Sequence, residues 1–200
     1  YGIKQIVCHV DPLRENAVRM NASNRCYICK KIIFSALLEE AAKLGISAIA
    51  DGSNLDDLGD YRPGLKALEE LQVKSPLREA GFSKADIRAL SKELGLSTWN
   101  KQSNACLATR FPYGSEITID KLALLDKAEE ALAGMGFTQL RVRIHDDIAR
   151  IEVPVAQMEV LLSNENRAAI VDALNDLGFA YVTLDLAGYR TGSMNEKLSR

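Results

Sequence analysis

The chain has 200 residues, 47% of them apolar and 26% charged, the composition of a folded chain with a sizeable core. A formal net charge of −2 gives no field that would gather nucleic acid, and no stretch approaches the roughly 20 apolar residues needed to cross a bilayer. No basic start followed by an apolar centre marks a signal peptide. The four cysteines are therefore expected in a reducing cytoplasm, as metal ligands or reactive thiols rather than disulfides.

Taken in chain order, Tyr1 leads almost at once into an apolar run, Ile3 to Val10, that reads as a strand. No helix or glycine-rich turn precedes it, so the chain is expected to begin inside a domain. A polar loop follows, then apolar residues at helical spacing from Cys26 to Leu44, stopped by Gly45. Ile46 to Ala50 reads as a second short strand, ending in the polar segment Asp51 to Gly64. In open α/β sheets ligands collect at the carboxyl ends of strands, which makes this segment the first candidate site. Leu65 to Leu71 is a short helix, and Ser83 to Leu94 a longer one with Ser83 as N-cap, Asp86 three residues on and Gly95 at its end. Ser97 to Gly114 lacks periodicity but carries Trp99, Cys106, Arg110 and Tyr113, and long ordered loops are often functional.

From Thr118 the order becomes helix, strand (Gln139 to Ile144), strand (Ala149 to Val153), two helices and a strand (Tyr181 to Leu186), the signature of a small α+β unit. The fold class is α/β, with a parallel-sheet domain over residues 1–114 and an α+β domain over residues 115–200.

Cys26 and Cys29 form a CxxC pair at a helix start, where amides and dipole favour thiolate. The pair alone fits a redox dithiol, half of a zinc site or part of an iron-sulfur cluster. Cys106 lies among polar groups in the aperiodic loop. Three cysteines fall one ligand short of a closed zinc site, although His or Asp would complete one, and they suit a 4Fe-4S cluster with one open iron. Cys8 reads as core, with His9 on the opposite strand face a weak ligand candidate. Arg110, four residues after Cys106, offers a cation for a thiolate, a cluster or a leaving group. Its plain alternative is a loop salt bridge. Arg141 and Arg143, two apart on a strand, share a face and would bind a phosphate bidentately, unless that face is simply solvated.

Four segments together, NRCYICKK at residues 24–31, DGSNLDDLGDYRPGL at 51–65, ACLATRFPYG at 105–114 and GYRTGSMN at 188–195, resemble the LarE family. LarE proteins are ATP-dependent sulfurtransferases that build the nickel-pincer nucleotide cofactor of lactate racemase, and the resemblance covers essentially the whole chain. It implies a PP-loop ATP pyrophosphatase fold, a Rossmann-like type. The family's Ser-Gly-Gly-x-Asp-Ser phosphate loop does not occur in this sequence, which implies an amino-terminal truncation.

The resemblance further implies ATP and Mg2+ as cofactors, and adenylation of a carboxylate on pyridinium-3,5-biscarboxylate mononucleotide followed by sulfur attack. Cys26, Cys29 and Cys106 are expected to hold a 4Fe-4S cluster carrying the sulfide, with Cys106 as a sacrificial donor the competing scheme. Asp51, Asn54, Asp56 and Asp57 are expected at nucleotide or magnesium, or in turn chemistry. Arg141 and Arg143 fall at the substrate phosphate, and Glu130 and Glu152 at acidic active-site positions that bind metal or orient substrate. Arg190 and Ser193 would return to the site from the tail. A homo-oligomer and the other enzymes of pincer-nucleotide synthesis are the expected partners. Thiolation of another acceptor such as tRNA, and a zinc-stabilised module without catalysis, are the alternative readings.

Overall fold

A computed structural model of the chain describes residues 2–59, 63–101 and 105–190. It divides into two compact units, Tyr1–Lys101 and Gln102–Arg200. The α/β class read from the sequence holds. The Cys106 loop, counted above with the first domain, falls with the second unit.

The first unit is mainly helical. A 3-10 turn, Pro12–Arg14, leads into α1 (Asn16–Arg19), α2 (Arg25–Lys43), a second 3-10 turn (Leu55–Gly59), α3 (Pro63–Glu70), α4 (Pro76–Glu79) and α5 (Lys84–Glu93). Gly45 ends α2 at φ +71°, a backbone conformation that a side chain disfavours. There the Ile46 amide reaches back to the Ala41 carbonyl (2.8 Å) and the Gly45 amide to Ala42 (3.0 Å), which satisfies the last carbonyls of the helix. In α5 the expected box is present: Asp86 N–H donates to Ser83 Oγ (3.2 Å), and Ser83 N–H to the Asp86 carboxylate (2.9 Å).

Residues 3–10 form no strand, and Ile3 and Val7 stand 83% and 66% exposed. Cys8, read as core, is accordingly half-buried in an irregular segment with His9 exposed beside it. The physical reason is that a strand exists only when its backbone is paired, whatever its residue pattern. Of the expected strand at 46–50, a single parallel bridge from Ala50 to Lys74 remains.

In the second unit α6 (Ile119–Gly134) is followed by β1 (Arg141–His145), β2 (Ile148–Glu152), α7 (Met158–Leu161), α8 (Asn164–Asp176) and β3 (Tyr181–Leu184). The sheet order is β1-β2-β3; the first pair is antiparallel, the second parallel. The hairpin turns on Asp146 at φ +55°, which a short polar side chain tolerates. Leu125, Ala128 and Leu132 of α6, Ile170 and Leu174 of α8, and Val142, Ile144, Ala149 and Ile151 of the sheet are all buried, and α6 packs on β1 and α8 on β3. Strand residues alternate faces, so this core leaves Arg141, Arg143, Arg150 and Glu152 together on the other side. Among the described residues no helix is long and apolar enough to cross a membrane.

Candidate functional site

Cys106 is exposed and caps the start of a 3-10 turn, Leu107–Arg110, whose Thr109 amide (2.9 Å) and hydroxyl (2.7 Å) both donate to the Cys106 carbonyl. The turn sits on a fully buried arginine. Arg110 donates through Nε (2.8 Å) and Nη2 (2.7 Å) to the two oxygens of Glu129. Its Nη1 donates to the carbonyls of Ala105 (3.0 Å) and Cys106 (3.2 Å) and to Thr109 Oγ1 (3.0 Å). Each of its three nitrogens thus bonds the carboxylate or the turn. A planar fork with five N–H groups is the side chain that can bridge a carboxylate and a backbone turn at once. Glu129 Oε1 also accepts the Val142 amide (2.9 Å) on the unpaired edge of β1. Glu130, the acidic residue expected from sequence, is exposed on α6.

Arg143 supports the same turn from the sheet. It forks onto Glu152 (Nη2 to Oε2 3.0 Å, with Nε on Oε1) and donates through Nη1 to the Thr109 carbonyl (2.7 Å). Glu152 is fully buried and also meets Arg150 (3.2 Å), which in turn reaches Asp185 (2.7 Å). Arg141, half-buried, lies with its guanidinium carbon 5.2 Å from the Tyr189 ring centre. Burial first, and then the Arg110 charge, push its guanidinium below the ordinary arginine value, the mark of a crowded cationic patch. Arg190 lies 3.8 Å from Asp185 on this side of the sheet. Residues 191–200, with Ser193, lie outside the described residues.

In the first unit Cys26 and Cys29 stand half-buried on the opening turn of α2. Arg25, almost wholly buried, donates to Asn21 Oδ1 (2.7 Å) and to Cys26 Sγ (3.2 Å). Asp51 accepts the Ser53 amide (3.2 Å) and the hydroxyls of Ser53 and buried Ser75 (2.7 Å from Ser75). Burial pushes the Asp51 carboxyl up, but the Ser53 and Ser75 hydrogen bonds and the Lys30 charge outweigh it and hold it below its ordinary value of 3.8. A lowered folded-state value means that its contribution to stability is complete above that ordinary value. We therefore expect it to be lost as pH falls through the folded value, and Asp51→Asn to flatten that acid limb of a pH-dependent denaturation series. Asn54, Asp56 and Asp57 serve turns and caps: the Asn54 amide donates to Asp57 (3.0 Å), and Asp56 accepts the first amide of α5 from Lys84 (2.7 Å). A groove of about 860 Å³ in this unit is lined by Leu38, Ile49, Leu65, Val73 and Glu79.

Among the described residues no group of three or more His, Cys, Asp or Glu side chains is gathered to hold a metal ion. Cys26 and Cys29 belong to one unit and Cys106 to the other. Sequence reasoning missed Glu129. The signal was present, because a buried stripe at Leu125, Ala128 and Leu132 puts position 129 at its border and position 130 beyond it.

No protein-family model matches the chain. It is 43% identical over 199 residues to an uncharacterized protein of Synechocystis sp., a match that spans 100% of this chain and 74% of that protein. Over 191 residues, 96% of this chain and 68% of the relative, it is 44% identical to the pyridinium-3,5-bisthiocarboxylic acid mononucleotide synthase of Lactiplantibacillus plantarum. A shorter similarity, 31% identity over 98 residues, covers 40% of this chain and 28% of a tRNA-specific 2-thiouridylase of Clostridium botulinum, and it fits a PP-loop type of α/β fold. With identity above two-fifths across nearly its whole length, and with more than two-thirds of the named synthase covered, the chain belongs to the LarE family of sulfurtransferases.

Proposed function

We propose that this chain inserts sulfur into pyridinium-3,5-biscarboxylate mononucleotide at the expense of ATP. The observation that carries the reading is an exposed cysteine, Cys106, on a turn pinned from below by Arg110 and Arg143 and flanked by the arginines of the sheet. A substrate carboxylate attacks the α-phosphate of ATP and pyrophosphate leaves. The acyl-adenylate is then attacked by sulfur, AMP departs with the carbonyl–oxygen bond pair, and a thiocarboxylate remains. Activation is needed because a carboxylate oxygen leaves poorly, whereas AMP is a stable leaving group.

Thiols are soft-metal donors by chemistry, and the chain offers an exposed one at Cys106 and two half-buried ones a helical turn apart at Cys26 and Cys29. Cys26, Cys29 and Cys106 are the residues that would hold a 4Fe-4S cluster, which would supply transferable sulfide, and Asp51 would be the residue nearest a Mg2+ that neutralised the nucleotide phosphates. The chain's own groups orient the substrate. Arg141, half-buried on the arginine face of β1 and bonded to the Leu140 carbonyl (2.6 Å), takes the phosphate as a charge-assisted contact.

Anaerobic reconstitution of the full-length gene product, read by iron and acid-labile sulfide per chain and by absorption, tests the cluster. The expected outcome is a full complement in the parent and a deficient, labile cluster in Cys106→Ala. A full complement in Cys106→Ala would overturn it. The competing scheme draws on the exposure of Cys106 alone, and predicts dehydroalanine at that position in the mass spectrum after one turnover.

A further inference from the structure

Glu129 joins three parts of the second unit. It projects from α6, holds Arg110 under the Cys106 turn with both oxygens, and takes the Val142 amide of β1 between the two arginines of that strand. Beside the Thr109 amide and hydroxyl, Arg110 Nη1 holds the Cys106 backbone, and Arg110 is oriented by its fork on Glu129. We propose that Glu129 is a positioning residue for sulfur delivery, setting where Cys106 stands relative to the substrate-binding strand β1. This rests on the reading that Cys106 delivers sulfur, and it assigns Glu129 no contact with substrate.

Placement of this kind acts on the reacting geometry and not on ground-state binding. Arg141 keeps its place on β1 through the β2 ladder, and the contact of Glu129 with that strand, the Val142 amide, is retained in Glu129→Gln. A loosened turn misplaces the sulfur while the substrate still binds. Glutamine at position 129 retains one acceptor for Arg110 Nε and the Val142 amide, but turns an N–H group toward Arg110 Nη2 and breaks the fork. The double replacement Arg110→Met with Glu129→Met removes both charges together, a change that buried ion pairs often tolerate in stability, while deleting every bond from Arg110 to the turn.

The test uses the full-length gene product. Sulfur transfer is measured as kcat and as KM for the pyridinium mononucleotide in Glu129→Gln, in the double methionine variant, and in Leu174→Val, a core change on α8 that lowers the melting temperature without touching the turn. Both turn variants are expected to lose roughly 10- to 100-fold in kcat, with KM within about twofold of the parent. Hydrogen exchange at the Thr109 amide, bonded to the Cys106 carbonyl, is expected to quicken by about tenfold or more, while α8 amides are unchanged. A kcat loss no greater than that of Leu174→Val, or a rise in KM that accounts for the whole effect, would overturn the proposal. Full sulfur transfer by Cys106→Ser would instead sink the reading of Cys106, whatever Glu129 does, so the two failures are separable.

Discussion

Cys106→Ser in the full-length gene product is expected to reduce thiocarboxylate formation by about 1,000-fold or more, because a hydroxyl neither ligates iron usefully nor gives up sulfur. Both sulfur-supply schemes share this expectation. What the substitution leaves intact is as informative. Arg110 and Thr109 hold the turn through the backbone carbonyl of residue 106, which serine also possesses, so the fold and the turn are retained. ATP-dependent release of pyrophosphate in the presence of the mononucleotide is therefore expected to continue. Loss of both half-reactions together would place Cys106 in activation and overturn its assignment to sulfur delivery.

The second large effect is on stability. Removing the Glu152 carboxylate by Glu152→Ala strands Arg143, itself only 8% exposed, without its fork and deprives Arg150 of one of two acidic partners. Breaking a buried pair by deleting one member costs about 3–5 kcal/mol, against a total of about 5–15 kcal/mol for a typical domain. Denaturant titration should show a stability loss of that size, read as a lower midpoint with an unchanged slope. The joint replacement Arg143→Met with Glu152→Met should recover much of it, since no uncompensated charge remains. If Glu152→Ala and the double variant are equally unstable, the pair contributes through shape and not through charge.

These two residues also mark where the sequence could and could not be read. The helices were legible because their ends are local: Ser83 with Asp86, Gly45 and Gly95 each act within a few residues of the chain. The α+β order of the second unit was legible from period alone. Residues 3–10 were not, because alternation describes a face and says nothing of a neighbour to pair with. The same gap explains Arg143. Spacing puts it on one face with Arg141, but only tertiary contact reveals that the Cys106 turn covers it and that Glu152 already holds its fork. Glu152 and Arg110 likewise proved to be fully buried and fully occupied by neighbours, a state that no single-residue pattern announces.

The parallel pairing of β2 with β3 bears on the order in which this surface is made. The β1–β2 hairpin closes across Asp146 and Asp147 and can form on a scale of about 1–10 μs. β3 joins β2 only after α7 and α8 have crossed over, a longer loop to close and a slower step. Asp185 follows β3 and brings the carboxylate that engages Arg150. The Asp185 partner of Arg150 is therefore expected to arrive only when the last strand docks, which would make the surface that meets the substrate one of the later parts of the unit to mature.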